Sequence, residues 1–325
     1  MGLILKAENI KGGYELGSAF LKAVDGCSLY VNEGEIMGLA GESGCGKSTF
    51  AKLVMGYAKP PLKFTDGRSI IDGVDVYGLP WKDRRARLWG RVVAMIPQAS
   101  MNALNPTKKI KDLILDVFKE KYPHSPSKEE VMKKATNRFE EIGLDSRVLN
   151  MYPIELSGGM RQRVVIAIST LLNPSLLIAD EPTSALDVST QKLLLELLYT
   201  LVRRSIVKAL LFISHDIATL RQICNKMCIM YAGKVVEIGC TEDVIRKPLH
   251  PYTQGLINSV ISLDPSARNT VLTGIPGSPP NLLNPPPGCR FHPRCPHATP
   301  ICREREPPLL EVKKGTYVAC WLYVS

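Results

Sequence analysis

The 325-residue chain contains no apolar run near the roughly 20 residues that a membrane helix requires. The best candidate, residues 164–179, is interrupted by Ser169-Thr170 and Asn173-Pro174, which excludes a spanning helix there. The opening Met1-Gly2-Leu3-Ile4-Leu5-Lys6-Ala7-Glu8 lacks the basic-then-apolar order of a signal peptide, so the cytosol is the expected compartment. No compositional bias toward disorder or fibres is present either, with hydrophobic residues at 45% and charged residues at 22%. The net charge of +10 fits nucleic acid, an anionic membrane face or a phosphorylated ligand, but no single Lys/Arg run is long enough to choose among them. Nine cysteines in a cytosolic chain are not expected to form disulfides, because that compartment keeps thiols reduced. The length suggests about two domains.

What is present is organised around Gly41-Glu42-Ser43-Gly44-Cys45-Gly46-Lys47-Ser48, a G-x-x-x-x-G-K-S phosphate-binding loop. An apolar strand, residues 35–39, precedes it and a helix-forming run, residues 49–54, follows it. Gly41, Gly44 and Gly46 let successive N–H groups surround a phosphate, and the start of the new helix adds its positive end to the same site. In that arrangement Lys47 reaches the β- and γ-phosphates and the Ser48 hydroxyl ligates Mg²⁺.

Along the chain, Leu3 to Ile10 reads as a strand turned by Gly12-Gly13-Tyr14, and residues 21–35 as a further strand pair ending at Asn32-Glu33-Gly34. Tyr14 is an aromatic able to stack on an adenine ring. Residues 70–76 read as a hairpin strand around Asp72-Gly73, and Trp81 to Arg91 as a basic helical run. Residues 92–96 read as a buried strand ending at Pro97-Gln98, where ligands sit in sheets of this kind. From Ala99 to about Pro153 the period becomes helical: Ser127 and Glu130 make a capping box, and Val131, Ala135, Phe139 and Ile142 share one face. This stretch reads as a helical subdomain inserted into the sheet domain.

Leu156-Ser157-Gly158-Gly159-Met160-Arg161-Gln162-Arg163 then opens a helix, and Ser-Gly-Gly at a helix start is a second anion site. One nucleotide does not need two such sites from one molecule. The strand Leu176 to Ala179 delivers Asp180 and Glu181 at its carboxyl end, the first placed to hold Mg²⁺ through water and the second to take a proton from an attacking water. Ser184-Ala185-Leu186-Asp187 begins a helix running to Arg203, and the strand of residues 209–213 ends at Ser214-His215-Asp216. His215, at a strand end like Gly41, Gln98 and Asp180, reads as a γ-phosphate contact.

In order and spacing these motifs resemble an ABC-type ATPase over about residues 1–245, the Leu-Ser-Gly-Gly-x-x-Gln-Arg string being that family's own signature. The resemblance implies an α/β P-loop NTPase fold: a mainly parallel core sheet, an antiparallel β subdomain, a helical subdomain at about residues 99–165 and a small cysteine-containing extension. It implies ATP and Mg²⁺ as cofactors, with Tyr14 on the adenine and Gly41, Ser43, Gly44, Cys45, Gly46, Lys47, Ser48 and Thr49 around the phosphates. Ser48, Gln98 and Asp180 would serve the metal, Gln98 also linking metal and water to membrane subunits. Glu181 would be the general base and His215 the γ-phosphate switch, with Asp187 also at the nucleotide. Ser157, Gly158 and Gly159 would complete the site of a facing subunit. One phosphate loop and one signature on this chain therefore imply a second ABC ATPase subunit, identical or related.

Beyond Gly239 the composition changes, with a proline-rich connector at about residues 275–287 followed by Cys289, Cys295, Cys302 and Cys320. Four late thiols can serve one metal centre; the spacing does not separate zinc from an iron–sulfur cluster, and the short spacing usual for structural zinc is absent. His292 and His297 are rival ligands, whereas Cys27, Cys224, Cys228 and Cys240 read as small core residues. His250-Pro251-Tyr252-Thr253, residues 288–295 and Val318-Ala319-Cys320-Trp321 are similar to the C-terminal extension of oligopeptide/dipeptide importer ATPases. That resemblance covers the extension, residues 246–325, nearly to its end and implies a [4Fe–4S] cluster on the four cysteines. It further implies two transmembrane permease subunits docked near Gln98 and residues 102–107, an extracytoplasmic solute-binding protein, and a place on the cytoplasmic face of the membrane. Peptide is the expected solute, with oligosaccharide or nickel as alternatives within the subfamily. A soluble ABC ATPase acting on nucleic acid is the reading from another class, opposed by the lack of a tandem cassette and of a DNA-binding insertion.

Overall fold

A computed structural model describes residues 2–98, 100, 103–122, 126–184, 186–259 and 274–324. Asn102 of the expected docking segment and Ala185 lie outside the described residues. The strands are β1 (Leu3–Leu16), β2 (Ala19–Asn32), β3 (Ile36–Ala40), β4 (Leu62–Ile71), β5 (Val74–Asp75) and β6 (Val93–Ile96). Then come β7 (Leu176–Asp180), β8 (Ala209–Ile213), β9 (Lys226–Tyr231), β10 (Lys234–Cys240), β11 (Leu310–Lys313) and β12 (Thr316–Val318). The chain divides into two compact units: Met1–Leu5, Val31–Ile36 and Ile70–Leu211 form one, and Lys6–Tyr30, Met37–Ser69 and Phe212–Ser325 the other.

In the first unit β6 runs parallel to β7, Val93 facing Leu176 and Ile96 facing Ala179, with β8 on the other side of β7. Every residue of β7 is buried, which explains why it reads as an unbroken apolar run rather than an alternating one. The helix Gly158–Thr170 packs on β6. The helical insertion contains Ile110–Lys121 and Lys128–Glu141, packed on each other. Ser127 and Glu130 form the expected reciprocal capping box. Val131, Ala135, Phe139 and Ile142 are all buried, as their spacing predicts, and hiding Phe139 alone contributes roughly 1.5–3 kcal/mol. At the β4–β5 turn Asp72 and Gly73 both have positive φ, 47° and 79°, the conformation a two-residue hairpin demands.

In the second unit β3 pairs in parallel with β9, Met37 facing Lys226 and Ala40 facing Ile229, and β10 pairs antiparallel with β9. Parallel pairs thus make the core sheet in both units, as an α/β fold requires, while β2, β1 and β4 lie side by side in a separate sheet. Two local expectations are corrected. Gly12-Gly13 does not turn the chain, because β1 continues through both to Leu16. A Cβ on Gly13 would stand 1.9 Å from Leu21 O, and one on Gly12 2.5 Å from Lys63 O, so these glycines serve close approach between strands. Residues 21–32 likewise belong to one strand, β2, which ends at Asn32 before the Glu33-Gly34 turn, rather than to a pair. The tail also does more than the sequence suggests: β12 adds antiparallel to β10, Glu237 facing Val318, and β11 adds to β12.

Candidate functional site

The phosphate loop leaves the buried strand β3 and ends in the helix Lys47–Val54. Gly41 and Gly46 hold φ of 146° and 107°, and a Cβ on either would lie 2.1 Å from Met230 O or 2.2 Å from Ala23 O. Glycine is needed at both for backbone conformation and for room. Ser43 and Gly44 are exposed at the crest of the loop, and Cys45 is buried beneath it, where burial pushes its thiol up. The Lys47 ammonium donates to Gly41 O at 2.7 Å and Glu42 O at 3.0 Å, so it is fixed by the loop's own carbonyls. Ser48 is half-buried one residue on. Thr49 shares a 3.1 Å hydrogen bond with the hydroxyl of Tyr14, which tethers that half-buried ring to the helix start. His215, also in this unit, is exposed just past β8; Asp216 caps the next helix by accepting from the N–H groups of Ala218 and Thr219.

The first unit carries the carboxylates and the signature. Asp180 is buried at the end of β7, and Glu181 follows with a left-handed φ of 47°, a strained backbone for a non-glycine residue. Gln98 Nε2 donates to Glu181 Oε2 at 3.1 Å, so the two residues that the motifs single out do meet. Ser157 is exposed at the start of the helix Gly158–Thr170, its hydroxyl accepting the Met160 N–H at 3.3 Å, with Gly158 and Gly159 in the first turn. The first-turn N–H groups of Gly158 and Gly159, which have no intrahelical carbonyl, and the positive end of the helix dipole lie beside the exposed Ser157. Asp187 caps Val188–Arg203, and its hydrogen bonds from Thr190 hold the carboxyl below the usual carboxylate range. Gln162 is a residue that motif reading used only as a letter of the signature. It is buried, accepts from Ser100 Oγ at 2.6 Å and donates to Pro182 O at 2.9 Å.

Hydroxyl and carboxylate oxygens of the kind offered by Ser48 and Asp180 suit a hard cation such as Mg²⁺. The tail differs. Cys289, Cys295, Cys302 and Cys320 line one cavity of about 190 Å³, together with His250, His292 and His297. Burial, and then the neighbouring thiols, push Cys289 up to about 11. Yet among the described residues no three His, Cys, Asp or Glu side chains are arranged to hold a metal ion. The four thiols therefore share one pocket, and the arrangement of the described residues lends no support of its own to the expected [4Fe–4S] cluster or to zinc, its rival. Cys240 is corrected, being exposed at the end of β10, whereas Cys27, Cys224 and Cys228 are core residues as expected. No described helix is long and apolar enough to cross a membrane.

Sequence reasoning missed what the tail does to the phosphate loop. Tyr252, fully buried in the helix Pro251–Asn258, accepts the backbone N–H of Glu42 at 2.8 Å. Arg294 grips the Glu42 carboxylate with both terminal nitrogens, at 2.8 and 3.0 Å. That carboxylate, first among the causes, raises the Arg294 guanidinium above its usual range. No local signal marks a pair so distant in the chain; the only hint was that Tyr252 and Arg294 each fall in a motif of the extension.

Two family models match the chain: ABC transporter over residues 24–184, and the C-terminal region of oligopeptide/dipeptide transporters over residues 236–302. The chain is 39% identical to a dipeptide transport ATP-binding protein, DppD, of Caldanaerobacter subterraneus subsp. tengcongensis, covering 99% of this chain and 98% of that protein. It is 38% identical to an oligopeptide transport ATP-binding protein, OppD, of Bacillus subtilis, covering 98% and 88%. Among solved structures it resembles a dimeric ATP-binding cassette in a post-hydrolysis state bound to ADP and Pi. The TM-score is 0.64 at 28% identity, over 73% of this chain and 99% of that one.

Proposed function

The chain belongs to the ABC transporter family of ATP-binding proteins, within its dipeptide/oligopeptide branch, and we infer that it is the ATP-hydrolysing motor subunit of a di- or oligopeptide importer. The observation that carries this reading is the helix start at exposed Ser157 and half-buried Gly158 and Gly159, on a chain that already has a phosphate loop. A second anion site facing outward is what a second copy of the cassette would need. The partner is a like or identical ATPase subunit, and permeases in the membrane receive the work, so the chain acts from the cytoplasmic face. A solute-binding protein outside the membrane would deliver the peptide. The division at residues 245 and 246, between cassette and extension, is part of the same proposal.

In this reading Lys47 and the loop amides take the β- and γ-phosphates, and Tyr14 lies on the adenine. The residues that would hold Mg²⁺ are Ser48, Asp180 and Gln98; the ion would neutralise charge on the phosphate oxygens. Glu181 orients a water and takes its proton, while Gln98, bonded to that carboxylate, sets its direction. His215 contacts the γ-phosphoryl group, and Asp187 sits with the signature residues at the nucleotide. Ser157 and Gly159 serve the nucleotide held by the facing subunit, and closure supplies positioning and electrostatic stabilisation. A [4Fe–4S] cluster on Cys289, Cys295, Cys302 and Cys320 is supported by thiolate chemistry and by the resemblance of the extension, and no step passes through it.

Reconstitution with two permeases in vesicles tests the function: peptide uptake that requires ATP and this chain is expected. ATP hydrolysis indifferent to permeases and peptide would count against it.

A further inference from the structure

Glu42, the second residue of the phosphate loop, is held from three directions by three different groups. Its carbonyl accepts from Lys47 at 3.0 Å, its N–H donates to Tyr252 at 2.8 Å, and its carboxylate takes the two-pronged grip of Arg294. The far ends of the last two bonds are anchored in turn. Tyr252 is fully buried with its ring centroid 4.6 Å from that of Tyr231. Arg294 is only 5% exposed, donates from Nε to Pro276 O at 2.7 Å and from Nη1 to the Tyr231 hydroxyl at 3.3 Å. All of these residues belong to the same compact unit.

We propose that Tyr252 and Arg294 are positioning residues for the phosphate loop, so that nucleotide affinity is set in part by the C-terminal extension. The proposal rests on the reading above, that this loop binds ATP. The physical path is short. Lys47 is the group expected to meet the β- and γ-phosphates, and two carbonyls, of Gly41 and Glu42, fix its ammonium. At Gly41 the loop passes so close to the Met230 carbonyl that a Cβ there would collide, which leaves little room for the loop on that side. A displacement of Glu42 therefore moves Lys47 and the loop amides together, and sub-ångström misplacement weakens phosphate binding. The Tyr252 hydroxyl also decides which way the Glu42 amide faces, by accepting it on the side of the extension. Two-pronged arginine–carboxylate pairing fixes orientation as well as distance, which a lysine in its place cannot reproduce.

The experiment measures the affinity of the full-length chain for a fluorescent magnesium-ATP analogue, with kcat, KM and melting temperature read in parallel. The variants are Tyr252→Phe, Arg294→Lys, Arg294→Ala, Glu42→Gln and the pair Glu42→Gln/Arg294→Ala. Folded Tyr252→Phe and Arg294→Lys are expected to bind the analogue roughly five- to tenfold more weakly, the loss of about one hydrogen bond, with KM raised and kcat held. The double variant should be no weaker than Arg294→Ala, because both substitutions break one interaction. Wild-type affinity in folded Tyr252→Phe and Arg294→Lys overturns the proposal, and so does a double variant whose losses multiply. Should Arg294→Ala not fold, the two conservative variants decide alone. A wild-type chain that fails to bind the analogue contradicts the assignment of ATP itself rather than the role of the extension.

Discussion

The side-chain amide of Gln162 donates to the carbonyl of Pro182 at 2.9 Å, fastening the turn after Glu181 to the helix that Ser157 opens. The other end of that amide accepts from Ser100, two residues beyond Gln98. Signature helix, carboxylate turn and the segment after β6 are therefore joined through one buried glutamine. A displacement of the segment after Gln98 would reach Glu181 by this route as well as by the direct Gln98 bond.

Gln162→Leu keeps the volume and removes both bonds, leaving the Ser100 hydroxyl and the Pro182 carbonyl buried without that partner. The expected cost is about 1–3 kcal/mol, read as a lower urea midpoint with unchanged slope. Turnover should fall while the affinity for ATP stays, because the phosphate loop is not touched. Unchanged stability and turnover would show that the bridge is ornamental.

Glu181→Gln is the sharpest test of the proposed base. The amide keeps the size and can still pair with Gln98, but it takes no proton from water. Turnover is expected to drop ~100-fold or more, within the range for loss of a general base, with nucleotide binding retained. A variant that hydrolyses ATP at the wild-type rate removes Glu181 from that role.

Gly46→Ala should weaken nucleotide binding strongly. The added methyl would need a left-handed φ and would stand 2.2 Å from Ala23 O, so the helix start must move. Equilibrium titration with ATP is expected to show at least a tenfold loss, more than 1.4 kcal/mol. Binding at wild-type strength would mean that the loop is not the phosphate cradle.

The cysteine pocket is tested by composition. Protein purified without oxygen is expected to be brown and to contain iron and acid-labile sulfide in equal amounts, with Cys295→Ser losing both while keeping ATP binding. Zinc in place of iron, or a colourless metal-free protein, would withdraw the cluster proposal and leave four thiols sharing a cavity of about 190 Å³.

The sequence made legible those features whose cause is local. The phosphate loop declares itself because its glycines, lysine and serine act within one turn of chain, and the Ser127–Glu130 box because both of its bonds span three residues. The buried strands β3 and β7 show as unbroken apolar runs. Gly12-Gly13 misled because glycine signals backbone freedom without saying whether a turn or a close neighbour requires it. The pairing of β12 with β10, and the grip of Arg294 on Glu42, depend on chain closure over long separations, which periodicity does not encode. Glu42 by itself reads as one more solvated carboxylate in a loop.

The most direct test of the whole account is the structure of the Glu181→Gln protein with magnesium-ATP. The account predicts a dimer in which each nucleotide lies between the phosphate loop of one subunit and Ser157 and Gly159 of the other. A triphosphate enclosed by a single subunit, with Ser157 far from every phosphoryl oxygen in all assemblies, would contradict it.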